Sequence, residues 1–396
     1  MKILMINSVC GIRSTGRICT DIADALEKKG YEVKIAYGRF DVPEKYQKYA
    51  IKIGNQLGVY FHIGQSLLMD NSGLLNKRAT EKFIEWVKEY NPDVIHLHNI
   101  HGYYIHIPTL FEYLKKCNKT IFWTLHDCWS FTGHCAYFDY INCKKWKNGC
   151  YDCKLKHSYP PSLLLDKSKE NYLLKKELFT NISNMTLITP SEWLASLVNQ
   201  SFLKEYTVKV IHNQINHTIF HPIESNLKNQ YCIFDKKILL GVASVWEKRK
   251  GLDDFIQLSK LISTDYMIVL IGLNNKQLKL LPKNIIGIRH TSNAEELAQW
   301  YTCADVFLNL TYEDNYPTTN LESIACGTPV ITYNTGGSPE SANYYGITVK
   351  KGDLQAIIEI LNSEEYKKCE KKEVPDTFIE DYISLYIGER RNESRN

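Results

Sequence analysis

Two acidic positions eight residues apart, Asp314 and Glu322, bracket a Pro-Thr-Thr-Asn run in EDNYPTTNLESIACGTPV, residues 313–330. A helix start leaves backbone N–H groups without intrahelical acceptors and so favours anions. Extra negative charge at such a place makes sense if the work is divided. The amides and hydroxyls around Thr318, Thr319 and Asn320 suit phosphate oxygens. The carboxylates of Glu322 and of Asp314, or its neighbour Glu313, are bidentate acceptors suited to diols. The plainer alternative is a capped surface helix whose acids complement its dipole.

Other residue groups could do chemistry. His98, Asn99 and His101 follow the apolar run VIHLHN, and His126 with Asp127 follows IFWTL. Both groups lie at predicted strand ends and can bond hydroxyl groups, although a strand-end histidine can equally be structural. In SVCGIRSTGR, residues 8–17, Gly11 and Gly16 permit close backbone approach to a ligand. Lys248, Arg249 and Lys250 either meet an anion or form a solvated helix entrance. Cys135, Cys143, Cys150 and Cys153 supply four thiols and end in a C-x2-C pair, the donor set of a structural zinc. A metal would order a segment too polar to fold on its own core. Two disulfides or free buried thiols are the alternatives.

These residues need a scaffold, and the sequence predicts one. Short buried strands are expected at 2–7, 33–38, 92–99, 119–127, 185–191 and 209–213, and again at 237–244, 266–272, 284–289, 304–310, 329–334 and 345–350. Helical patterns alternate with them. The fold class is therefore α/β, with two Rossmann-like doubly wound parallel sheets facing across a cleft, and a Cys-rich insertion in the first at about 128–160. The expected division is a first domain at 1–213, a linker at 214–235, a second domain at 236–375, and a C-terminal helix and tail at 376–396 that cross back to the first. The singled-out loops lie at the carboxyl ends of strands, where such sheets bind ligands.

Composition narrows the classes further. With 48 basic and 44 acidic residues, the net charge of +4 is too balanced for nucleic acid as the main partner. No apolar run reaches the ~18 residues of a membrane span. The start, MKILMINSVCG, reads as a first strand and not as a signal peptide. Twelve cysteines without a secretion signal favour reduced thiols and a cytoplasmic location. Residues 162–179 form a Lys-rich amphipathic stretch that either rests on an anionic membrane, at its inner face, or packs as an ordinary helix with a solvated side.

The opening stretch resembles the signature of the GT-B glycosyltransferases of family 4, in which two acids eight apart bracket the donor site. GVASVWEKRKG (241–251), NTGGSPE (334–340), VIHNQINHTIFHP (210–222) and TPSEWLASL (189–197) resemble further segments of that family, in order along nearly the whole chain. The family's first acid is usually Glu; here the spacing lands on Asp314, with Glu313 beside it. The Arg that usually precedes Lys-Gly is replaced by Val245, so Arg249 stands as its substitute next to Lys250. The resemblance implies a retaining transferase that moves a sugar from a nucleoside diphosphate sugar to a glycan or lipid-linked acceptor in surface polysaccharide synthesis. Lys250 and Arg249 would contact the diphosphate, and His126 the donor sugar or acceptor, with Asp127 beside it. Gly11 and Gly16 would sit in a loop closing over donor phosphate and acceptor, and His98, Asn99 and His101 would serve the acceptor. No Asp-x-Asp occurs in the chain, so no catalytic metal is expected and zinc would be structural only. A sugar-nucleotide epimerase or inverting transferase, or a zinc-organised two-domain binding protein, are the competing readings.

Overall fold

The computed structural model describes residues 1–393. The chain forms two compact units, residues 1–212 together with the segment from Thr377 onward, and residues 213–376. Each is built on one parallel sheet.

In the first unit the strands are β1 (Lys2–Ile6), β2 (Glu32–Tyr37), β3 (Ala50–Lys52), β4 (Val94–Leu97), β5 (Thr120–Thr124), β6 (Met185–Thr189) and β7 (Val208–Val210). Their spatial order is β3-β2-β1-β4-β5-β6-β7. In the second unit they are β8 (Lys237–Val242), β9 (Tyr266–Ile271), β10 (Ile285–Ile288), β11 (Val306–Asn309), β12 (Val330–Tyr333) and β13 (Gly346–Val349), ordered β10-β9-β8-β11-β12-β13. Every pairing is parallel, as in β1 with β4, where Ile3 lies opposite Val94, and β8 with β11, where Leu239 lies opposite Val306. Parallel strands are covered by helices on both faces, which is why these segments read as continuous apolar runs.

Strand order reverses direction between β1 and β4 in one sheet and between β8 and β11 in the other. At such a switch the two following loops leave toward opposite faces and open a crevice at the carboxyl ends. The loops after β1 and β4 carry Gly11 and His98; those after β8 and β11 carry Lys250 and Asp314. Topology alone therefore gathers the chemically equipped loops of each unit.

The helix from Phe378 packs in the first unit, with Phe378, Tyr382 and Tyr386 buried beside Ile3, Ile22 and Phe122. Two helices between β3 and β4, Gln56–Met69 and Lys77–Tyr90, had no counterpart in the sequence reading, nor did β3 itself. The helix after β11 runs Thr318–Ala325, with Pro317 as its extended N-cap residue. Glu322 is the fifth helical residue and lies one turn in.

Candidate active site

In the second unit three loops lock together. Gly251 has φ +75°, and a Cβ there would fall 2.1 Å from the Leu310 carbonyl oxygen, so the loop after β8 lies directly on the end of β11. The Arg249 carbonyl accepts from the Tyr312 N–H at 2.7 Å and from the Thr311 hydroxyl at 3.2 Å. Gly336, at φ +57°, packs its bare Cα against the Asp314 backbone, and the Gly337 N–H donates to the Asp314 carbonyl at 3.1 Å. Side chains at both glycines would pry the loops apart.

On this platform Lys250 Nζ donates to Asp314 Oδ2 at 2.6 Å, and the two side chains are 22% and 20% exposed. Arg249 reaches Glu247 Oε2 at 3.0 Å and the Glu313 carbonyl at 3.3 Å. Glu313 itself is buried, and Asp314 is the carboxylate that accepts from Lys250. Glu322 Oε2 accepts from the hydroxyl of fully buried Tyr301 at 3.0 Å. Thr318 and Thr319 open the helix half-buried, and first-turn amides there lack intrahelical acceptors. Asn320 is fully buried and spends its amide on Asn309 at 2.8 Å and Ser341 at 2.9 Å. It pins the helix to the segment after β12.

The first unit gathers its polar groups at the ends of β4 and β5. His98 Nδ1 meets His126 Nε2 at 3.1 Å, with the rings stacked. His126 and Asp127 are adjacent in sequence but face different partners: Asp127 Oδ2 takes His101 Nε2 at 2.8 Å, and Asp127 Oδ1 accepts from the Trp129 N–H at 2.9 Å. Burial pushes Asp127 up, but His101 and the Trp129 amide outweigh it and hold the carboxyl below its ordinary range. Burial lowers His126 to about 4, so near neutrality it is an uncharged hydrogen-bonding group and not a cation. His98 is also lowered, through burial first and then through His96 and His126. The Asn99 N–H donates to Asn7 Oδ1 at 3.2 Å, which ties the loops after β1 and β4. Gly11 donates to the Gly16 carbonyl at 3.1 Å across the turn into the helix Arg13–Lys28.

Comparison with known proteins now bears on these loops. The sequence model described as Glycosyltransferase Family 4 matches residues 15–218, and that described as Glycosyl transferases group 1 matches residues 236–363. The chain belongs to glycosyltransferase family 4. It is 32% identical over 118 residues to the glycosyl transferase WcaC of Escherichia coli K12, whose name places it in colanic acid biosynthesis, and 26% identical over 170 residues to the alpha-galactosylglucosyldiacylglycerol synthase of Streptococcus pneumoniae. The alignments span 28% of this chain and 28% of the first relative, and 39% and 44% for the second. Among solved structures, sucrose-phosphate synthase from Thermosynechococcus elongatus superposes with a TM-score of 0.65 at 16% identity, covering 92% of this chain and 90% of that one. Anabaena HepE in complex with UDP-glucose gives 0.61 at 14%, covering 93% and 90%. WaaG, a glycosyltransferase of lipopolysaccharide biosynthesis, gives 0.61 at 13%, covering 98% and 100%. These likenesses establish the GT-B fold.

Several polar partners in this family 4 chain were invisible in its sequence. Tyr301 on Glu322 is one. His96, between Tyr386 hydroxyl at 2.6 Å and Thr124 hydroxyl at 2.8 Å, is another. Fully buried Tyr382 also reaches Thr124 at 3.0 Å. Only the aromatic repeat Phe378, Tyr382, Tyr386 hinted at a packed helix face. The four cysteines all carry free thiols, as do the other eight. Among the described residues no helix is long and apolar enough to cross a membrane.

Proposed function

We propose that this chain is a retaining glycosyltransferase that takes its sugar from a nucleoside diphosphate donor. The carrying observation is the Lys250–Asp314 contact of 2.6 Å at the switch point of the second sheet. A cation and an acid, each about four-fifths covered, sit where a parallel sheet binds ligands. In the proposed reading Lys250 and Arg249 take the diphosphate, with first-turn amides of Thr318 and Thr319 beside them. Asp314 and Glu322 hold hydroxyls of the sugar and the ribose. Both carboxylates already accept hydrogen bonds, from Lys250 and Tyr301, which suits an oriented acceptor better than a free nucleophile. The step breaks the bond from the anomeric carbon to the phosphate oxygen and forms one from that carbon to the acceptor oxygen. The acceptor proton passes to the departing phosphate oxygen, so no protein nucleophile is needed. In the first unit, Gly11 and Gly16 are assigned to the donor, His98, Asn99 and His101 to the acceptor, and His126 and Asp127 to the transfer step, with neutral His126 bonding a hydroxyl.

The proposed acceptor is a glycan carried on lipid, met at the cytoplasmic face of a membrane. Helix Gln56–Met69 contains no charged residue and leaves Leu57, Tyr60, Phe61 and Leu68 exposed. Leu163, Leu164 and Leu165 are exposed as well, and the Leu163 and Leu165 amides bond the carbonyls of Leu67 and Leu68. Such a contiguous apolar face is unusual on a protein that meets only water. The two named relatives belong, by their names, to colanic acid biosynthesis and to the synthesis of alpha-galactosylglucosyldiacylglycerol. Incubation with a panel of UDP-, GDP- and ADP-sugars and lipid-linked acceptors tests the assignment. Transfer with retained anomeric configuration supports it; turnover with inversion, or epimerised donor without transfer, overturns it.

A further inference from the structure

The segment from residue 132 to 167 has neither α-helix nor strand, only the short turns Asp139–Ile141 and Lys145–Lys147. Structureless stretches of this length are uncommon inside a compact unit unless something else orders them. Part of the order is apolar: Phe138, Trp146 and Phe131 stack on one another. The rest surrounds a cavity of about 250 Å³ bordered by Cys135, Cys143, Cys150, Cys153 and His134.

We propose that this cavity is a structural site for a zinc-class cation, held by the thiolates of Cys135, Cys143, Cys150 and Cys153. Four observations point to it. The Cys135 and Cys153 thiols are hydrogen-bonded to each other although 18 residues apart in sequence, and the Gly133 N–H is aimed at Cys150 Sγ at 3.2 Å. A Cβ on Gly133 would strike the Ser168 carbonyl at 1.9 Å and Cys150 Cβ at 2.7 Å, so the chain is drawn tightly round this point. His134 Nδ1 is fixed by Asp70 Oδ1 at 2.6 Å, while its Nε2, fully buried at the same cavity, has no partner. Lastly, buried Lys175 has only the neutral carbonyls of Trp129 and Thr132 as hydrogen-bond partners, at 2.8 and 3.0 Å, with Cys135 and Cys150 within electrostatic range.

The charges balance if a metal is bound. One divalent ion replacing four thiol protons leaves a doubly negative centre, and a buried ammonium beside it offsets part of that charge. Without such a centre the Lys175 amine has two carbonyls and the face of the Trp129 ring, 3.4 Å away, beside neutral sulfurs. Among the described residues no three His, Cys, Asp or Glu side chains converge on one point as they stand. Rotation about a Cα–Cβ bond moves a Sγ without moving the backbone, and in this proposal the set closes by such rotamer changes. A closed four-thiolate set leaves no open position, so the role is architectural.

Metal analysis of the whole protein, purified without added metal, tests this. About one zinc per chain is expected, as for a closed tetrahedral site. The Cys150→Ser/Cys153→Ser variant should lose at least about tenfold of that content, and Cys232→Ser, in the second unit, none of it. Because the double variant could fail to fold, exchange of cobalt into the unmodified protein gives a second reading. Tetrahedral thiolate ligation shows as intense sulfur-to-cobalt absorption. Metal-free protein with every thiol reactive, a pair of disulfides, zinc retained by the double variant, or cobalt without thiolate absorption would each overturn the proposal.

Discussion

Replacing Asp314 by Asn separates the two jobs assigned to the loops after β8 and β11. In the free protein Lys250 is held by Asp314 at 2.6 Å, each side chain about one-fifth exposed. Two unit charges near a protein surface attract by about 4 kcal/mol at an effective dielectric of about 20. Exposed pairs deliver only about 0.2–1 kcal/mol after screening and side-chain entropy. A pair this well covered lies between these limits, at about 1–2 kcal/mol net. A diphosphate must displace that contact to engage Lys250. Asp314→Asn removes the competition, so the matching nucleoside diphosphate should bind about 5- to 30-fold tighter, since 1.4 kcal/mol is a factor of ten. The same change removes charge-assisted bonds to sugar hydroxyls, worth about 1.5–3 kcal/mol. The ratio of transfer efficiency (kcat/KM) to diphosphate affinity should therefore fall by about 10- to 100-fold, a ratio in which the Lys250 contribution cancels. Lys250→Met should instead weaken diphosphate binding by about 10-fold or more, as loss of a charge-assisted bond. Calorimetry and steady-state rates on the three proteins read all of this. Weaker diphosphate binding in Asp314→Asn, or unchanged binding in Lys250→Met, would refute the division of labour.

Three further changes have defined outcomes. Tyr301→Phe removes the 3.0 Å donor to Glu322, and loss of one hydrogen bond to a carboxylate should raise donor KM by about 10-fold while leaving the fold intact; an unchanged KM would detach Glu322 from the donor. Tyr386→Phe leaves buried His96 Nδ1 unsatisfied and should cost about 1–3 kcal/mol, read as an earlier unfolding transition in denaturant; no shift would mean that the helix from Phe378 contributes little there. Burial lowers His62 and His126 to about 4 and His96 to about 3, so the unfolded chain, titrating near 6.5, binds more protons in between. Stability from these groups is complete above the unfolded value and is lost as pH falls toward the folded ones. His134, which burial lowers but Asp70 raises by more, and Asp21, which burial raises to about 6, oppose the trend in part. The first unit's melting temperature should drop from about pH 6.5 to about pH 4; a flat profile would contradict the neutral-histidine assignment.

How much of this was legible in the sequence depends on distance along the chain. Strands such as Ile3–Ile6 and Val306–Leu308 announce themselves because both faces of a parallel strand are buried and the apolar run is unbroken. The acidic pair at 314 and 322 was readable as local spacing. The helix Gln56–Met69 was not, since exposed Leu57, Tyr60 and Phe61 erase the contrast between its two faces. Its start did carry a signal, as Asn55 accepts from the Gly58 N–H in an N-cap. Pairings across the fold leave no local trace. Asp127 lies beside His126 in sequence, yet bonds His101, because β4 and β5 bring their loops together in a register that spacing does not encode. Glu322 and Tyr301 meet only because two helices pack on the same face of the second sheet.

The central claim is that the loops after β8, β11 and β12 form a nucleoside diphosphate sugar site. Isothermal titration of the whole protein with UDP-, GDP- and ADP-sugars tests it most directly. The account predicts saturable heat with one base class, near one site per chain, and its loss in Lys250→Met. No heat from any of these donors, or full binding retained by Lys250→Met, would contradict it.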